Sequence, residues 1–176
     1  TTTGTQTYNG AITLGADVTL TASGITTTST ISAGNYDLTM IADAFNLGGN
    51  ITGSGTSVLT IQPKTNGTTI GLGTSAPGTI SLTATELAYL RTPSVVIGGS
   101  GVTGLITVNA SAINSAVTNF TLQNSGSSGN GGITIAGALS GLTNFTLTTA
   151  GTLRINNNIT TTGTQTYNGA ITLGAD

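Results

Sequence analysis

The chain has 176 residues, of which 5% are charged, and it contains no Cys, His or Trp; its net charge is −2. Ordinary globular domains are about 25% charged, and disorder by composition needs high net charge with low hydrophobicity, so both readings fail on charge. Disulfides, thiolate metal sites and imidazole chemistry are excluded, and three Lys/Arg residues are too few for a nucleic-acid footprint.

Repetition organises the rest. Residues 1–17, TTTGTQTYNGAITLGAD, recur without change as residues 160–176, a period of 160 − 1 = 159 residues. The chain therefore holds one complete unit, 1–159, and the start of a second, 160–176. The missing initiating methionine and signal peptide suit an internal stretch of a longer polypeptide. A period this long is a higher-order repeat, which predicts a shorter one inside it.

Taken in chain order, the shorter repeat is a tripeptide with apolar residues at i and i+2 around a hydroxyl. Val18-Thr19-Leu20, Leu38-Thr39-Met40, Leu59-Thr60-Ile61 and Ile80-Ser81-Leu82 follow one another at 20 or 21 residues. Further along, residues 111–126 align with 136–151 at a shift of 25, sharing Thr-Asn-Phe-Thr-Leu. Period-two alternation puts apolar residues on one face and hydroxyls on the other. Stacked coils of this size predict an all-β, parallel β-solenoid (β-helix) of about seven coils per unit, right-handed by the crossover rule. The expected core is Leu20, Leu38, Leu59, Ile61, Leu82, Ile106, Val108, Phe120, Leu122, Phe145 and Leu147. Thr19, Thr39, Thr60, Thr107, Thr121 and Thr146 are expected outside, and Phe120 and Phe145 are expected to be neighbours along the axis.

Two local signals punctuate this pattern. Asn-Gly pairs at 9–10, 66–67, 130–131 and 168–169 predict tight corners, since both residues tolerate positive φ. Thr83-Ala84-Thr85-Glu86 has capping-box form, with apolar residues behind it and Pro93 beyond, which predicts one short helix near 84–91, a helical corner rather than a lid.

Four stretches resemble repeat segments of filamentous-haemagglutinin-like large exoproteins: GTQTYNGAITLGADVTLTA (4–22), LTIQPKTNGTTIGLG (59–73), ISLTATELAYL (80–90) and SVVIGGSGVTGLITV (94–108). The resemblance implies an adhesin of the two-partner secretion type, displayed as a right-handed β-helical rod at the bacterial cell surface. It carries no catalytic residues over.

The residues themselves point away from catalysis. No catalytic, cofactor-binding or metal-ligating constellation emerges, and no cofactor is expected. Asp17, Asp37, Asp43 and Glu86 are the acids unique to the unit. Asp37 and Asp43 invite comparison with the clustered acids of polysaccharide-active β-helices but read as solvated turn residues, as do Lys64, Arg91 and Arg154. Gly98-Gly99-Ser100-Gly101 lacks the aspartate of a calcium nonapeptide. Sequons begin at Asn50, Asn66, Asn109, Asn119, Asn144 and Asn158, a number composition explains. Thr19, Thr39, Thr60, Ser81, Thr121 and Thr146 suggest a hydroxyl ladder, the basis of an ice-binding alternative that would need a second rank. The expected function is a structural, non-enzymatic repeat of a long extracellular fibre. Its expected partners are other copies of itself and host or cell-surface receptors or glycans. Nucleic acid and membrane spanning are not expected.

Overall fold

The computed structural model describes residues 1–109, 111–126 and 131–174. The expected corner at Asn130 and the last two residues of the second repeat copy, Ala175 and Asp176, lie outside the described residues. The chain winds as a nearly all-β solenoid, and every strand pairing is parallel. Each turn lays one short strand on each of three faces. The first turn holds β1 (Gln6–Tyr8), β2 (Ile12–Thr13) and β3 (Val18–Thr21). The second holds β4 (Ile25–Thr27), β5 (Ile31–Gly34) and β6 (Leu38–Ile41), and the third β7 (Phe45–Leu47), β8 (Ile51–Gly53) and β9 (Val58–Gln62).

The fourth turn is enlarged. It runs through β10 (Ile70–Leu72), β11 (Ile80–Leu82), helix α1 (Ala84–Tyr89), β12 (Leu90–Arg91) and β13 (Ser94–Gly98). The fifth turn returns to three strands, β14 (Ile106–Val108), β15 (Ser111–Ala112) and β16 (Asn119–Asn124). Beyond it lie β17 (Gly132–Ile135), β18 (Leu139–Leu142), β19 (Asn144–Ile155), β20 (Ile159–Thr161) and β21 (Gln165–Leu173). β19 and β21 each cross a corner and serve two faces. The first half of β19 pairs with β16 and its second half with β17.

The third face is continuous from β3 through β6, β9, β13, β16 and β19 to β21. That makes six crossings begun within residues 1–159 and a seventh, β21, in the second copy, against the expected seven or so per unit. The 25-residue shift reappears as register, Asn119 opposite Asn144 and Phe120 opposite Phe145. The two rings stack with centroids 5.9 Å apart and planes 14° from parallel. Alternation sends Leu38, Leu59, Ile61, Phe120, Leu122, Phe145 and Leu147 inward, and all are buried. Burying each such side chain contributes roughly 1.5–3 kcal/mol.

Three expectations change. Leu20 is only half-buried, because the first turn has a neighbour on one side alone. Thr107 is buried rather than outward. It pairs with Gly71, whose outer side is covered by the chain at Ala76 and Pro77. Ser81 is not in the third-face column at all: β9 pairs with β13, and Val96 fills that rank. Ile80-Ser81-Leu82 instead lies on the first face, parallel to Ile70-Gly71-Leu72 with a shift of only ten residues.

That ten-residue return is short for a parallel connection, which usually takes a dozen or more residues. Backbone contact makes it possible. A Cβ on Gly71 would stand 2.5 Å from the Ala76 carbonyl oxygen, and one on Gly78 would stand 2.3 Å from the Gly71 nitrogen. Ser75 turns the loop with φ of 53°. The first face thus gains one strand, β11, which lies between β7 and β10.

Helix α1 follows and forms the corner, as its sequence signals predict, although Leu90 and Arg91 belong to a strand and not to the helix. Its capping box is complete: the Glu86 amide donates to the Thr83 hydroxyl, and the Thr83 amide donates to Glu86 Oε2 at 2.9 Å. Leu87 anchors the helix in the core. The Asn-Gly pairs at 9–10, 66–67 and 168–169 do not use positive φ; among the described residues the left-handed glycines are 34, 55, 73, 98, 132 and 141.

Two substitutions check this packing by thermal or denaturant unfolding. Phe145→Ala should cost about 3–5 kcal/mol, and Phe145→Asp more, because it buries a charge with no partner. Gly78→Val should destabilise the fourth turn through backbone clash, whereas Gly67→Val, where a Cβ meets nothing within 4 Å, should be mild.

Candidate interaction surface at the open ends of the solenoid

The acids are structural ties between turns. Asp17 Oδ1 accepts the Asp37 amide at 2.9 Å, and Asp37 Oδ1 accepts the Val58 amide at 2.8 Å. Asp43 reaches the fourth turn, where Oδ1 accepts the Thr65 amide at 2.8 Å and Oδ2 the Thr65 hydroxyl at 2.7 Å. Each carboxylate therefore holds the backbone of a later turn, while Asp17 and Asp37 remain exposed as the solvated-turn reading expects and Asp43 is half-buried. Asp37 and Asp43 share no partner, so they do not form a carboxylate pair. Glu86 is buried and does the same work inside the corner: its Oε1 accepts the Leu47 amide at 2.9 Å, tying α1 to the end of β7.

Asparagines carry the other ties. Asn124 is buried where the third face turns into the first. Its Oδ1 accepts the Gly126 amide at 2.8 Å, the Gly132 amide at 3.2 Å and the Thr149 hydroxyl at 3.2 Å, while its Nδ2 donates to the Gly104 carbonyl. Two of the sequon asparagines, Asn119 and Asn144, stack in register, and Asn144 Nδ2 donates to Asn119 Oδ1 at 3.1 Å. The hydroxyl column of the third face runs Thr19, Thr39, Thr60, Val96, Thr121, Thr146 and Thr166. Two positions on, Thr21 is followed by Ile41 and Gln62, so the second rank of an ice-binding surface does not form. Among the described residues no group of three or more His, Cys, Asp or Glu converges to hold a metal. No helix there is long and apolar enough to cross a membrane.

Inside the solenoid the Ser57 and Ser111 hydroxyls are buried without a partner, and the first and last turns each leave one side uncovered. A shallow cavity of about 410 Å³ opens on the last turn, lined in part by Ile155, Ile159, Tyr167, Ile171 and Leu173. Ile171 is 48% and Leu173 73% exposed. β21 is paired along one edge only, to β19. At the other end, β1, β2 and β3 are paired only to β4, β5 and β6.

The two repeat copies form these two ends. Both keep the same internal contact: the Tyr8 hydroxyl donates to Gln6 Oε1, and the Tyr167 hydroxyl to Gln165 Oε1. Partial burial pushes the Tyr167 phenol above its usual pKa. Both have strands at the Gln-Thr-Tyr and Ile-Thr segments, but the two copies share a conformation only locally. In the first copy those strands belong to two sheets, whereas in the second they run together as β21 with a register shift. The partners differ: the first copy pairs with residues that follow it, the second with residues that precede it.

The class of protein that this geometry defines is a parallel β-solenoid with a single helical corner. No protein-family model, curated protein or solved structure matches the chain.

Asp43 yields a pH test. Partial burial alone would raise its pKa, but the bonds from the Thr65 amide and hydroxyl, the Thr68 hydroxyl and the Lys64 amide outweigh this and hold it below the usual value. A carboxylate with a depressed folded-state pKa stabilises above its unfolded value, near 3.9, and loses that contribution as pH falls through the folded value. Asp43→Asn should be less stable than the parent at neutral pH, with the gap narrowing in acid below about pH 4. Thermal unfolding across that range checks it.

Proposed function

We propose that the protein is a structural, non-enzymatic unit of a long extracellular fibre at a bacterial surface, acting as an adhesin shaft or as a filament that associates with itself. The observation that carries this reading is the identical 17-residue segment that recurs after 159 residues along a parallel solenoid. Repetition of that kind suits a rod lengthened by tandem copies, each turn capping the backbone of the one before.

The surface supports the same reading. One 159-residue unit has four acids and three bases, and the acids bond to neighbouring turns. The long faces are therefore threonine, serine, asparagine and glycine with little charge to keep other copies away. The resemblance to filamentous-haemagglutinin-like exoproteins adds the cell surface as location and receptors or glycans as further partners. On this reading contact is spread along the rod, and no pocket or single residue dominates.

The test is a length series. Chains of one, three and six units, assayed for self-association and for retention on cells, should bind more tightly as units are added, with little dependence on salt. Equal binding by one unit and six, or loss of binding on Arg91→Ala alone, would place recognition in a discrete site and overturn the fibre reading.

A further inference from the structure

The three faces differ in what their strands carry outward. On the first face alternation leaves polar residues outside, among them Thr7, Thr26, Asn46, Thr134 and Arg154. On the second it leaves Thr13, Ser32, Thr52, Arg91 and Ala112. Among the described residues, only the third face has branched apolar side chains at outward positions. These are Ile41 on β6, Val58 on β9 and Val96 on β13, three consecutive strands, and each is half-buried. The core is filled from the other side of the same strands, by Leu38, Met40, Leu59, Ile61, Val95 and Ile97, so the outward three add nothing to it.

We infer that the third face is a lateral contact surface for a second copy of this chain, packed face to face with its own third face. This inference rests on the fibre reading and names the side on which copies meet. Continuity supports it. The first face has no ladder between β7 and β11, and the second has none between β12 and β15, whereas the third runs through one sheet from β3 to β21. The chain at Ala76 and Pro77 crosses outside Gly71 on the first face, and α1 stands against β15 on the second. A second sheet can lie flat only on the uninterrupted face.

Charge and area favour the same partner. The only charges on the third face are Asp17 and Asp37, at one margin of its first two strands, and each is already bonded to the strand that follows. The rest of its outer surface is Thr, Ser, Gln, Asn and Gly around the three apolar residues. Hydroxyls and amides both donate and accept, so such a surface complements a copy of itself, as an isologous contact requires. In the same arrangement Arg154 on the first face or Arg91 on the second would be covered without a counter-charge. Seven strands about 4.8 Å apart, each presenting about five residues at roughly 3.3 Å, offer roughly 550 Å². Two such faces cover about 1,100 Å², just above the roughly 1,000 Å² that a specific interface needs, so the pair is weak and depends on concentration.

The experiment uses the whole chain and reads self-association by sedimentation equilibrium. The parent should dimerise as its concentration rises, with little dependence on salt. Thr60→Lys with Val96→Lys should lower the association constant about tenfold or more at low salt, because like charges then face each other. Thr60→Glu with Val96→Glu should do the same. Mixing the two variants should restore the dimer, which misfolded chains would not do. Thr26→Lys with Thr134→Lys on the first face, and Ser32→Lys with Ser140→Lys on the second, should leave association at the parent's level. Association of the third-face variants equal to the parent's, no recovery on mixing, or an equal loss in the first- or second-face variants overturns the third-face contact. The fibre reading then stands on another face if chains of six units still associate. A parent that stays monomeric at every concentration overturns the contact, and six-unit chains that also stay monomeric overturn self-association with it.

Discussion

The structure depends on one constraint: a parallel strand has two edges, and each edge must find another strand one rank away. An antiparallel hairpin can satisfy an edge locally, but a parallel coil satisfies it only through the next turn. The short repeat follows from this. Residues at matching positions stack on one another, so a column keeps its chemistry from turn to turn. Phe145 sits on Phe120 and Leu59 on Leu38, while Thr60 sits on Thr39 outside them. Identical neighbours are tolerated because the core is narrow and continuous, and each apolar side chain is covered above and below by another. The ends are where that cover stops, and the half-buried Leu20 and exposed Leu173 show the gradient directly.

The same constraint explains how the fourth turn takes an insertion without breaking the rod. The extra strand on the first face, β11, is paired on one edge: it folds back on β10 in register, Ile70 on Ile80 and Leu72 on Leu82, and β10 continues to β14, while no ladder joins β11 to β7, whose Leu47 amide bonds Glu86 instead. The cost is a return too short for side chains, which Gly71 and Gly78 absorb by backbone contact. Helix α1 then spans from the first face to the second. Glu86, which bonds the helix N-terminus and the Leu47 amide together, fixes the helix against the last ordinary turn.

Much of this was legible in the sequence because the stacking rule writes itself as spacing. The 20-, 21- and 25-residue shifts are the observed registers of β3 on β6, β6 on β9 and β16 on β19. Ser81 misled because Ile80-Ser81-Leu82 has the right pattern at the right distance from Leu59. The closer echo was ten residues upstream, Thr69-Ile70-Gly71-Leu72 against Thr79-Ile80-Ser81-Leu82, and it marks the return. Thr107 was misplaced because strand alternation gives the side a residue faces but not whether a loop crosses over it. The roles of Asp17, Asp37, Asp43 and Asn124 were hidden for another reason. Their partners between turns are backbone amides or carbonyls and hydroxyls some 20 to 25 residues away, and backbone groups carry no sequence signature.

The two copies of TTTGTQTYNGAITLGAD separate what sequence sets from what stacking sets. Their sequence is the same, so any difference between them arises from what each stacks upon. Both keep the strand positions and the tyrosine–glutamine bond, and only the edge and the face change. The segment is thus committed to being a strand but not to one partner. In most domains such freedom at an edge invites aggregation and is countered with charge, proline or a covering loop. Here residues 160–174 contain no charged residue and no proline, and the apolar Ile171 and Leu173 remain open on the last turn. An unprotected edge is a liability for a molecule that must remain single. On the fibre reading proposed above, it is the surface that the next tandem unit would cover.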